Sequence, residues 1–178
     1  MIIIMDRQYA YNKEDEGYAK FEHFNRHFLH LQELARMPKN TPSGDASGIT
    51  TDGTEINIEI KVRNQTLIDK STLSGLTSQD KPYTASTIYI EAHKAGDMFL
   101  DYFCLGKEPI YVNFLDNDYV VIYNLKKLKT RPKRVQKKIW SKLYQNWENQ
   151  VREELPINEG FIYKWDGNNY ISLTKPNK

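Results

Sequence analysis

Glu59 and Lys61 lie two positions apart in a segment whose residues alternate strictly between apolar and polar. Consecutive side chains of a β-strand project from opposite faces, so this alternation predicts a strand over 55–63 with Glu59 and Lys61 side by side on its polar face. The other face is β-branched throughout and is formed by Ile56, Ile58, Ile60 and Val62. A carboxylate that can bind a divalent cation, with an ammonium group beside it, supplies two of the parts needed for metal-assisted hydrolysis of a phosphodiester.

A second acid, Asp45, lies upstream and is returned towards Glu59 by a turn. The dipeptide Asp52-Gly53 is a strong tight-turn signal, and it predicts a hairpin made of residues 45–51 and 54–63. Two carboxylates and a lysine would then meet at one end of this hairpin.

The register of the hairpin decides which side of the sheet Asp45 occupies. A two-residue loop would pair Asp45 with Ile60, on the apolar side. A three-residue loop would pair it with Glu59, on the polar side, and needs a glycine in the left-handed region, which Gly53 supplies.

The three-residue loop has one disadvantage, because it also sets Ile49 against Glu55. A β-bulge near Gly48 would reconcile the two requirements. The sequence leaves both registers open.

Residues 13–37 carry an apolar repeat at helical spacing and are predicted to form a long helix. The repeat consists of Phe21, Phe24, Phe28, Leu31 and Ala35. Glu14 projects from the edge of this apolar stripe, where an acid is unusual unless a cationic partner awaits it. A first-turn carboxylate favoured by the helix dipole is the alternative explanation. Glu16 lies farther round the helix and Glu22 lies on a polar flank.

This ordered set of features resembles the PD-(D/E)xK nuclease superfamily, which has the restriction-endonuclease-like fold. The family pattern is a helix with an acid, a strand that starts at an Asp, a strand carrying Glu-x-Lys, and then a helix and further strands. Ser43-Gly44-Asp45 corresponds to the Pro-Asp element and Glu59-Ile60-Lys61 to the Glu-x-Lys element. Gly44 departs from the pattern by replacing the usual proline, and Asp52 is therefore kept as the alternative acid. The resemblance extends in outline over residues 13–125.

The resemblance implies a metal-dependent DNA endonuclease that hydrolyses phosphodiester bonds. It implies Mg²⁺, with Mn²⁺ as a substitute, bound by the carboxylates of Asp45 and Glu59 and by the main-chain carbonyl of Ile60. Lys61 would orient or activate the attacking water and offset negative charge in the transition state. Glu14 would complete the catalytic set, unless one of the two other acids of the helix does so.

Several alternatives stay open beside this interpretation. The spacing Gln79-x-x-x-Tyr83 is similar to an exonuclease helix motif of the same superfamily, but Pro82 would break that helix, so an endonuclease is favoured. Glu91, at the end of another predicted strand, is a competing acid for the site. A catalytically silent nucleic-acid-binding protein and a phage- or defence-related interaction protein are the other function classes. Many members of the family cut duplexes as dimers, so the resemblance also raises a homodimer.

Positive charge is concentrated in residues 126–142. This stretch contains nine lysine or arginine residues and no acid, although the whole chain has a net charge of only +2. Such segregation indicates a polyanionic partner. From about Pro132 the stretch is predicted to be a helix, because its apolar residues recur at every fourth position. The residues predicted to contact DNA are Lys129, Arg131, Lys133, Arg134, Lys137 and Lys138.

The whole pattern predicts an α/β fold in a single domain over residues 1–178, with a central mixed β-sheet flanked by helices and a C-terminal basic helix and hairpin. A short helix is predicted over 93–105, and residues 64–83 are expected to form a surface loop with a short helix. The remaining predicted strands are 86–92, 109–115, 119–125, 161–165 and 170–174.

The composition excludes several classes of protein. With 39% hydrophobic and 27% charged residues the chain is neither disordered nor membrane-spanning. The apolar opening, residues 1–5, is too short for a signal peptide and is expected to be a short strand or a packed terminus. Cys104 is the only cysteine, which excludes an internal disulfide and a cysteine-based zinc site and indicates a reducing, cytoplasmic location. His23, His27 and His30 share one side of the predicted helix and are interpreted as a solvated face rather than a metal site.

Overall fold

The structure, a computed structural model, describes residues 2–39, 41–42, 44–69, 74–78, 86–141 and 146–174. Its helices and strands are α1 (Ile2–Phe24), β1 (Gln32–Arg36), β2 (Ala46–Ile49), β3 (Glu55–Val62), β4 (Gln65–Asp69), β5 (Ser74–Ser78), β6 (Thr87–Glu91), α2 (Ala92–Leu105), β7 (Glu108–Phe114), β8 (Tyr119–Asn124), β9 (Lys133–Ser141), β10 (Asn146–Pro156), β11 (Phe161–Trp165) and β12 (Tyr170–Ser172).

Seven strands form the central sheet in the order β1-β2-β3-β7-β8-β11-β12. β3 and β7 are parallel, and the other neighbouring pairs of this sheet are antiparallel. Two smaller sheets have the orders β6-β10-β9 and β4-β5. The core on one face of the central sheet contains residues of α1, and the core on the other face contains residues of α2. The prediction of a central mixed sheet flanked by helices is confirmed.

β3 is a central strand that is covered on both faces. Its apolar face packs against Phe21 and Phe24 of α1. Its polar face lies under α2, where Asn57 Nδ2 donates a hydrogen bond of 2.6 Å to Asp101 Oδ2. The alternation of β3 therefore separates an apolar core from a buried polar layer, and not a core from solvent.

The predicted helix over 13–37 is wrong at its C-terminal end. α1 ends at Phe24, a π-helical turn follows over Asn25–Leu29, and His30 takes a left-handed conformation with φ of 53°. Asn25 Oδ1 accepts a hydrogen bond of 2.7 Å from the Leu31 amide, which fixes this exit from the helix. The chain then forms β1 because β2 offers a free edge for pairing. At its other end the helix begins at Ile2, so residues 2–5 are helical and do not form a strand.

The predicted C-terminal basic helix is also wrong, because residues 133–141 and 146–156 are the strands of a long hairpin. An apolar residue at every fourth position fits a helix, but four is also a multiple of the two-residue period of a strand. Val135 and Ile139 therefore lie on the same face of β9. The C-terminal hairpin of β11 and β12 is confirmed.

The stretch predicted as a loop over 64–83 contains the hairpin of β4 and β5. Leu67 and Leu76 pair across it and are both buried in the core. The pair Gln79 and Tyr83, together with Pro82, lies outside the described residues. The predicted strand over 86–92, the helix over 93–105 and the hairpin over 109–125 are confirmed within one or two residues at their ends.

Of the three histidines predicted to share a solvated helix face, His27 and His30 are exposed, whereas His23 of α1 is half-buried. The rings of His23 and His27 lie 4.7 and 5.1 Å from the ring of Trp165. His23 Nδ1 also shares a hydrogen bond of 3.1 Å with the Tyr170 hydroxyl.

No helix within the described part of the chain combines the length and the apolar character needed to span a bilayer.

Candidate active site

The β2–β3 hairpin adopts the register of the three-residue loop. Ala46 lies opposite Ile58, and the ladder runs without a bulge to Ile49 opposite Glu55. Gly53 has φ of 86°, the left-handed conformation that this loop requires. The same register places Asp45, just before β2, at the level of Glu59.

The backbone conformation at Gly44 explains why glycine, and not the proline of the family pattern, occupies this position. Its φ is 142°, and a Cβ atom placed there would lie 2.8 Å from the carbonyl oxygen of Ile58. Proline fixes φ near −65°, so it cannot adopt this backbone, and any other side chain would collide with β3. The close approach lets the Asp45 amide donate a hydrogen bond of 2.8 Å to the Ile58 carbonyl.

The Asp45 carboxylate bonds to the backbone of β3 just beyond the point where pairing with β2 ends. Its Oδ2 accepts a hydrogen bond of 2.7 Å from the backbone amide of Ile60. The amide and the carbonyl of one residue point to the same side of a strand, so the Ile60 carbonyl also faces the side on which Asp45 lies. Asp45 and the Ile60 peptide are therefore neighbours, as the resemblance implied.

Glu59 is completely buried, with a relative exposure of 0%. Lys61 Nζ lies 2.7 Å from its Oε1, and Lys94 Nζ lies 3.2 Å from its Oε2. Lys94 belongs to the first turn of α2 and was missed by the sequence reasoning. The sequence predicts that a helix begins near His93, but nothing in its pattern shows that this helix end packs over Glu59.

The charges of this cluster act on one another. Burial and the nearby charge of Glu59 raise the pKa of Asp45. The hydrogen bond from the Ile60 amide and the charges of Lys61 and Lys94 act in the opposite direction but do not outweigh them. For Lys61, burial by itself lowers the pKa, but the charges of Glu59 and Glu91 outweigh it and the pKa is raised. The carboxylates of Glu59 and Glu91 thus favour the charged form of Lys61.

A second set of polar groups continues from this cluster along the sheet. Arg63 donates hydrogen bonds of 2.6 Å to Asn113 Oδ1, 2.5 Å to the Tyr111 hydroxyl and 2.5 Å to the Tyr89 carbonyl. Burial raises the pKa of Glu91, but Lys61, Arg152 and Arg63 pull it below its ordinary value. Glu91 therefore belongs to the same polar layer and interacts electrostatically with Lys61.

A cavity of about 380 Å³ opens beside Asp45. Glu14 and Lys94 line it together with Asp45, whereas Glu16 is held in ion pairs with Lys13 and Lys20. Of the three helix acids, only Glu14 faces this cavity. Its wall includes His93, Asp97 and Arg36 as well.

Asp52, the alternative acid, has a local role in the turn. Its carboxylate accepts hydrogen bonds from the Thr50 hydroxyl and, at 3.2 Å, from the Thr54 amide. It is exposed at the tip of the hairpin, at the opposite end from Asp45. The structure therefore separates it from the candidate site.

The donor set fits a hard divalent cation. Glu59 Oε1 is buried and has no hydrogen-bond donor in good geometry among the described residues, although the Lys61 ammonium is close. Within the same part of the chain no three His, Cys, Asp or Glu side chains converge on a point. Two carboxylates and a main-chain carbonyl, completed by water, are a set typical of Mg²⁺ and not of zinc.

The basic residues predicted to contact DNA lie on β9 and in the segment before it. In space they are not free of acids, since Arg134 pairs with Glu153 at 3.2 Å and Lys126 with Glu108 at 3.5 Å. Lys137 Nζ lies 5.2 Å from the centre of the Tyr89 ring. The side chains of Lys133, Arg134, Lys137 and Lys138 are nevertheless exposed to solvent.

The chain order of the elements around the site is α1 with Glu14, a strand entered at Asp45, β3 with Glu59 and Lys61, then α2, β7 and β8. That order is the one implied by the resemblance to the PD-(D/E)xK superfamily, with β1 added between α1 and β2, and with β4, β5 and β6 added between β3 and α2.

No protein-family model and no curated protein matches this chain. Among solved structures, a similar backbone is found in Archaeoglobus fulgidus Hjc, a Holliday junction resolvase from an archaeal hyperthermophile. The two chains are 12% identical and superpose with a TM-score of 0.43, covering 76% of this chain and 94% of Hjc.

Proposed function

We propose that this protein is a metal-dependent endonuclease that hydrolyses phosphodiester bonds in DNA. The observation that carries the proposal is that Asp45, at the wall of an open cavity, lies level with Glu59 and within electrostatic range of Glu59 and Lys61. In the other hairpin register Asp45 would point into the apolar core, and the candidate metal site would then have only the carboxylate of Glu59. The exposed basic side chains of β9, Lys133, Arg134, Lys137 and Lys138, suit a polyanionic substrate.

Asp45, Glu59 and the Ile60 carbonyl would hold a divalent cation, Mg²⁺ by the hardness of their oxygens. Such a cation polarises a phosphate and makes a water molecule more acidic. Lys61 is held in its charged form beside Glu59, so its ammonium group can orient the attacking water and offset charge on the pentacovalent phosphorus.

Two further side chains that line the cavity, Lys94 and Glu14, are given roles in this proposal. Lys94 donates a hydrogen bond to Glu59 from the side of α2, which fixes the position of the buried carboxylate. Glu14 lies at the cavity wall, where it can accept a hydrogen bond from the same water. The homodimer raised by the resemblance stays a prediction.

The experiment that tests this function compares cleavage of a labelled duplex by the wild type, by Lys61→Ala and by Lys20→Ala. Lys20 is a matched control because its ammonium pairs with a carboxylate, Glu16, on the surface of α1. Cleavage in Mg²⁺ should fall by about two to three orders of magnitude in Lys61→Ala and stay unchanged in Lys20→Ala. DNA affinity should be similar in all three, and full cleavage activity of Lys61→Ala would reject the assignment.

One observation favours a second function, a nucleic-acid-binding protein of the same fold without turnover. Lys61 and Lys94 already balance the charge of Glu59, so the structure is electrostatically satisfied without a metal. A crystal soaked in Mn²⁺ separates the two functions through the anomalous signal of the ion. An ion between Asp45 and Glu59 supports the nuclease, whereas a protein that binds DNA, holds no ion and never cuts would be the silent binder.

A further inference from the structure

The hairpin of β9 and β10 extends beyond the sheet to which it belongs. β6 pairs only with residues 152–156 of β10, while β10 pairs with β9 from 146 to 154. Residues 136–141 and 146–151 are therefore a two-stranded ribbon, called the arm below, which pairs with no third strand in the described part of the chain. Six residues of an extended strand give the arm a length of about 20 Å.

The direction of the arm follows from the strand pairing. β6 and β10 are antiparallel, with Glu91 opposite Arg152, so the arm continues past the C-terminal end of β6. The next element after that end is α2, whose first turn carries Lys94 to Glu59. The arm and the candidate active site thus lie at the same end of β6.

Arg152 connects the root of the arm to the buried polar layer. It donates hydrogen bonds of 3.0 and 3.3 Å to Gln150 Oε1, within the arm. It also lies opposite Glu91, the acid that flanks Lys61. The arm is therefore fixed in orientation relative to the site at its root, where Arg152 pairs with Glu91 and Lys137 lies over the Tyr89 ring.

The side chains of the arm suit a nucleic-acid groove. On one face Lys138 lies opposite Asn149, and Gln136 lies opposite Val151. Trp147 and Val151 are 60% and 45% exposed and lie on the same face as Asn149, so this face is accessible to a ligand. Over residues 136–141 and 146–151 the sequence contains two lysines, four Asn or Gln residues and a single acid, Glu148.

We propose that the arm enters the major groove of duplex DNA beside the phosphate presented to Asp45 and Glu59. The major groove is about 12 Å wide and admits a two-stranded β-ribbon. Lysines at its edges neutralise phosphates, and Asn or Gln side chains can form paired hydrogen bonds to the edges of bases. This inference deepens the proposed function and rests on it for the identity of the substrate.

The first test measures the affinity for a fluorescent duplex over a range of salt concentrations, in EDTA so that nothing is cut. The variant is Lys138→Ala and the matched control is Lys20→Ala. Loss of one phosphate contact should weaken binding several-fold and lower the slope of log affinity against log salt by about one. Identical binding curves for Lys138→Ala and the control would overturn the proposal.

The second test examines the groove itself. Dimethyl sulfate methylates guanine N7, an atom that faces the major groove. The wild-type complex should protect guanines next to the cleavage position, and Asn149→Ala should reduce this protection at saturating protein. Unprotected N7 atoms in the wild-type complex would show that the arm does not enter the groove.

Two outcomes separate this inference from its alternatives. If the wild type sediments as a dimer without DNA and Lys138→Ala as a monomer, the arm contacts a second copy of the chain and the proposal is overturned. Since both tests read binding, a wild type that passes them but does not cut in Mg²⁺ contradicts only the nuclease. A wild type that cuts while both arm variants bind normally contradicts only the arm.

Discussion

Lys61 and Lys138 are both lysines of β-strands, but their surroundings are opposite. Lys61 interacts with the carboxylates of Glu59 and Glu91 under α2, in a layer where Glu59 has no exposure to solvent. Lys138 lies on the exposed arm, opposite the neutral side chain of Asn149. In the buried layer each charge depends on its neighbours for stability, whereas in the arm charge is available to an external partner.

The difference shows how one protein can divide recognition from chemistry. Chemistry needs side chains that stay in one arrangement, and a buried network of ion pairs enforces this because breaking it is expensive. Recognition of a long polyanion needs accessible charge and tolerates side-chain freedom. If this division is correct, substitutions in the buried layer should change stability and cleavage together, while substitutions in the arm should change only binding.

The largest effect on stability is expected for Glu59→Gln. This substitution removes the carboxylate that Lys61 and Lys94 share and leaves two ammonium groups without their buried partner. The free energy of unfolding should fall by about 3 kcal/mol, as measured by urea denaturation. Glu148→Gln, the same change on the arm, is the control and should stay within about 0.5 kcal/mol of the wild type. Equal losses in the two variants would contradict the contrast between buried and exposed charge.

The next largest effect concerns the backbone that delivers Asp45 to the buried layer. Gly44→Ala should destabilise the protein by about 2 kcal/mol, because it combines a strained φ with a Cβ that meets the Ile58 carbonyl. Gly53→Ala is the matched control, since Gly53 also has a positive φ but has nothing within 4 Å of an added Cβ. The control should lose about 1 kcal/mol in the same urea experiment.

Cleavage distinguishes these two glycine variants further. Gly44→Ala should cut DNA more slowly than the wild type at temperatures where both are folded, because the Asp45 carboxylate is displaced from the Ile60 amide. Gly53→Ala should cut at the wild-type rate. A Gly44→Ala variant with normal cleavage would indicate that the position of Asp45 is not critical.

Much of the buried layer could be predicted from the sequence because it lies on one strand. The two-residue period of β3 places Glu59 beside Lys61 whatever the rest of the fold does. Gly53 did not decide the register, since a two-residue Asp-Gly turn also needs a positive φ at the glycine. The burial of Asn57 and Glu59 on this polar face could not be predicted, because it results from α2 packing over β3 from a distant part of the chain.

The arm was predicted with the right charges and the wrong secondary structure. An apolar residue at every fourth position is compatible with both periods, and the β-branched residues Val135 and Ile139 were the available signal for a strand. Pairing with β10 decides the outcome, and such pairing depends on residues far along the chain. Lys94 was missed for a similar reason, since its contact with Glu59 joins two elements 35 positions apart.

A smaller effect, with a defined pH dependence, is expected for Glu91→Gln. Burial opposes the ionised form of Glu91, but Lys61, Arg152 and Arg63 favour it more, so its pKa in the folded protein is lowered. The carboxylate therefore stabilises the fold above its ordinary pKa of about 4.3, and this stabilisation is lost as the pH falls through the lowered value. Urea denaturation should show Glu91→Gln less stable by about 1 kcal/mol at pH 7, with the gap closing towards pH 3. A gap that is constant with pH would show that the ionised carboxylate does not interact with these cations.

The smallest effect on stability is expected for Lys138→Ala, and it is compared with the effect of Lys61→Ala. The exposed ammonium of Lys138 has water around it in both the folded and the unfolded chain, so its removal should change the free energy of unfolding by less than about 0.5 kcal/mol. Lys61→Ala, measured beside it, should lose clearly more, because Glu59 then keeps only Lys94 as a partner. Urea denaturation of both variants at pH 7 gives the two values directly. A Lys138→Ala variant as unstable as Lys61→Ala would mean that the arm is held by its own charges, and the proposed division between recognition and chemistry would fail.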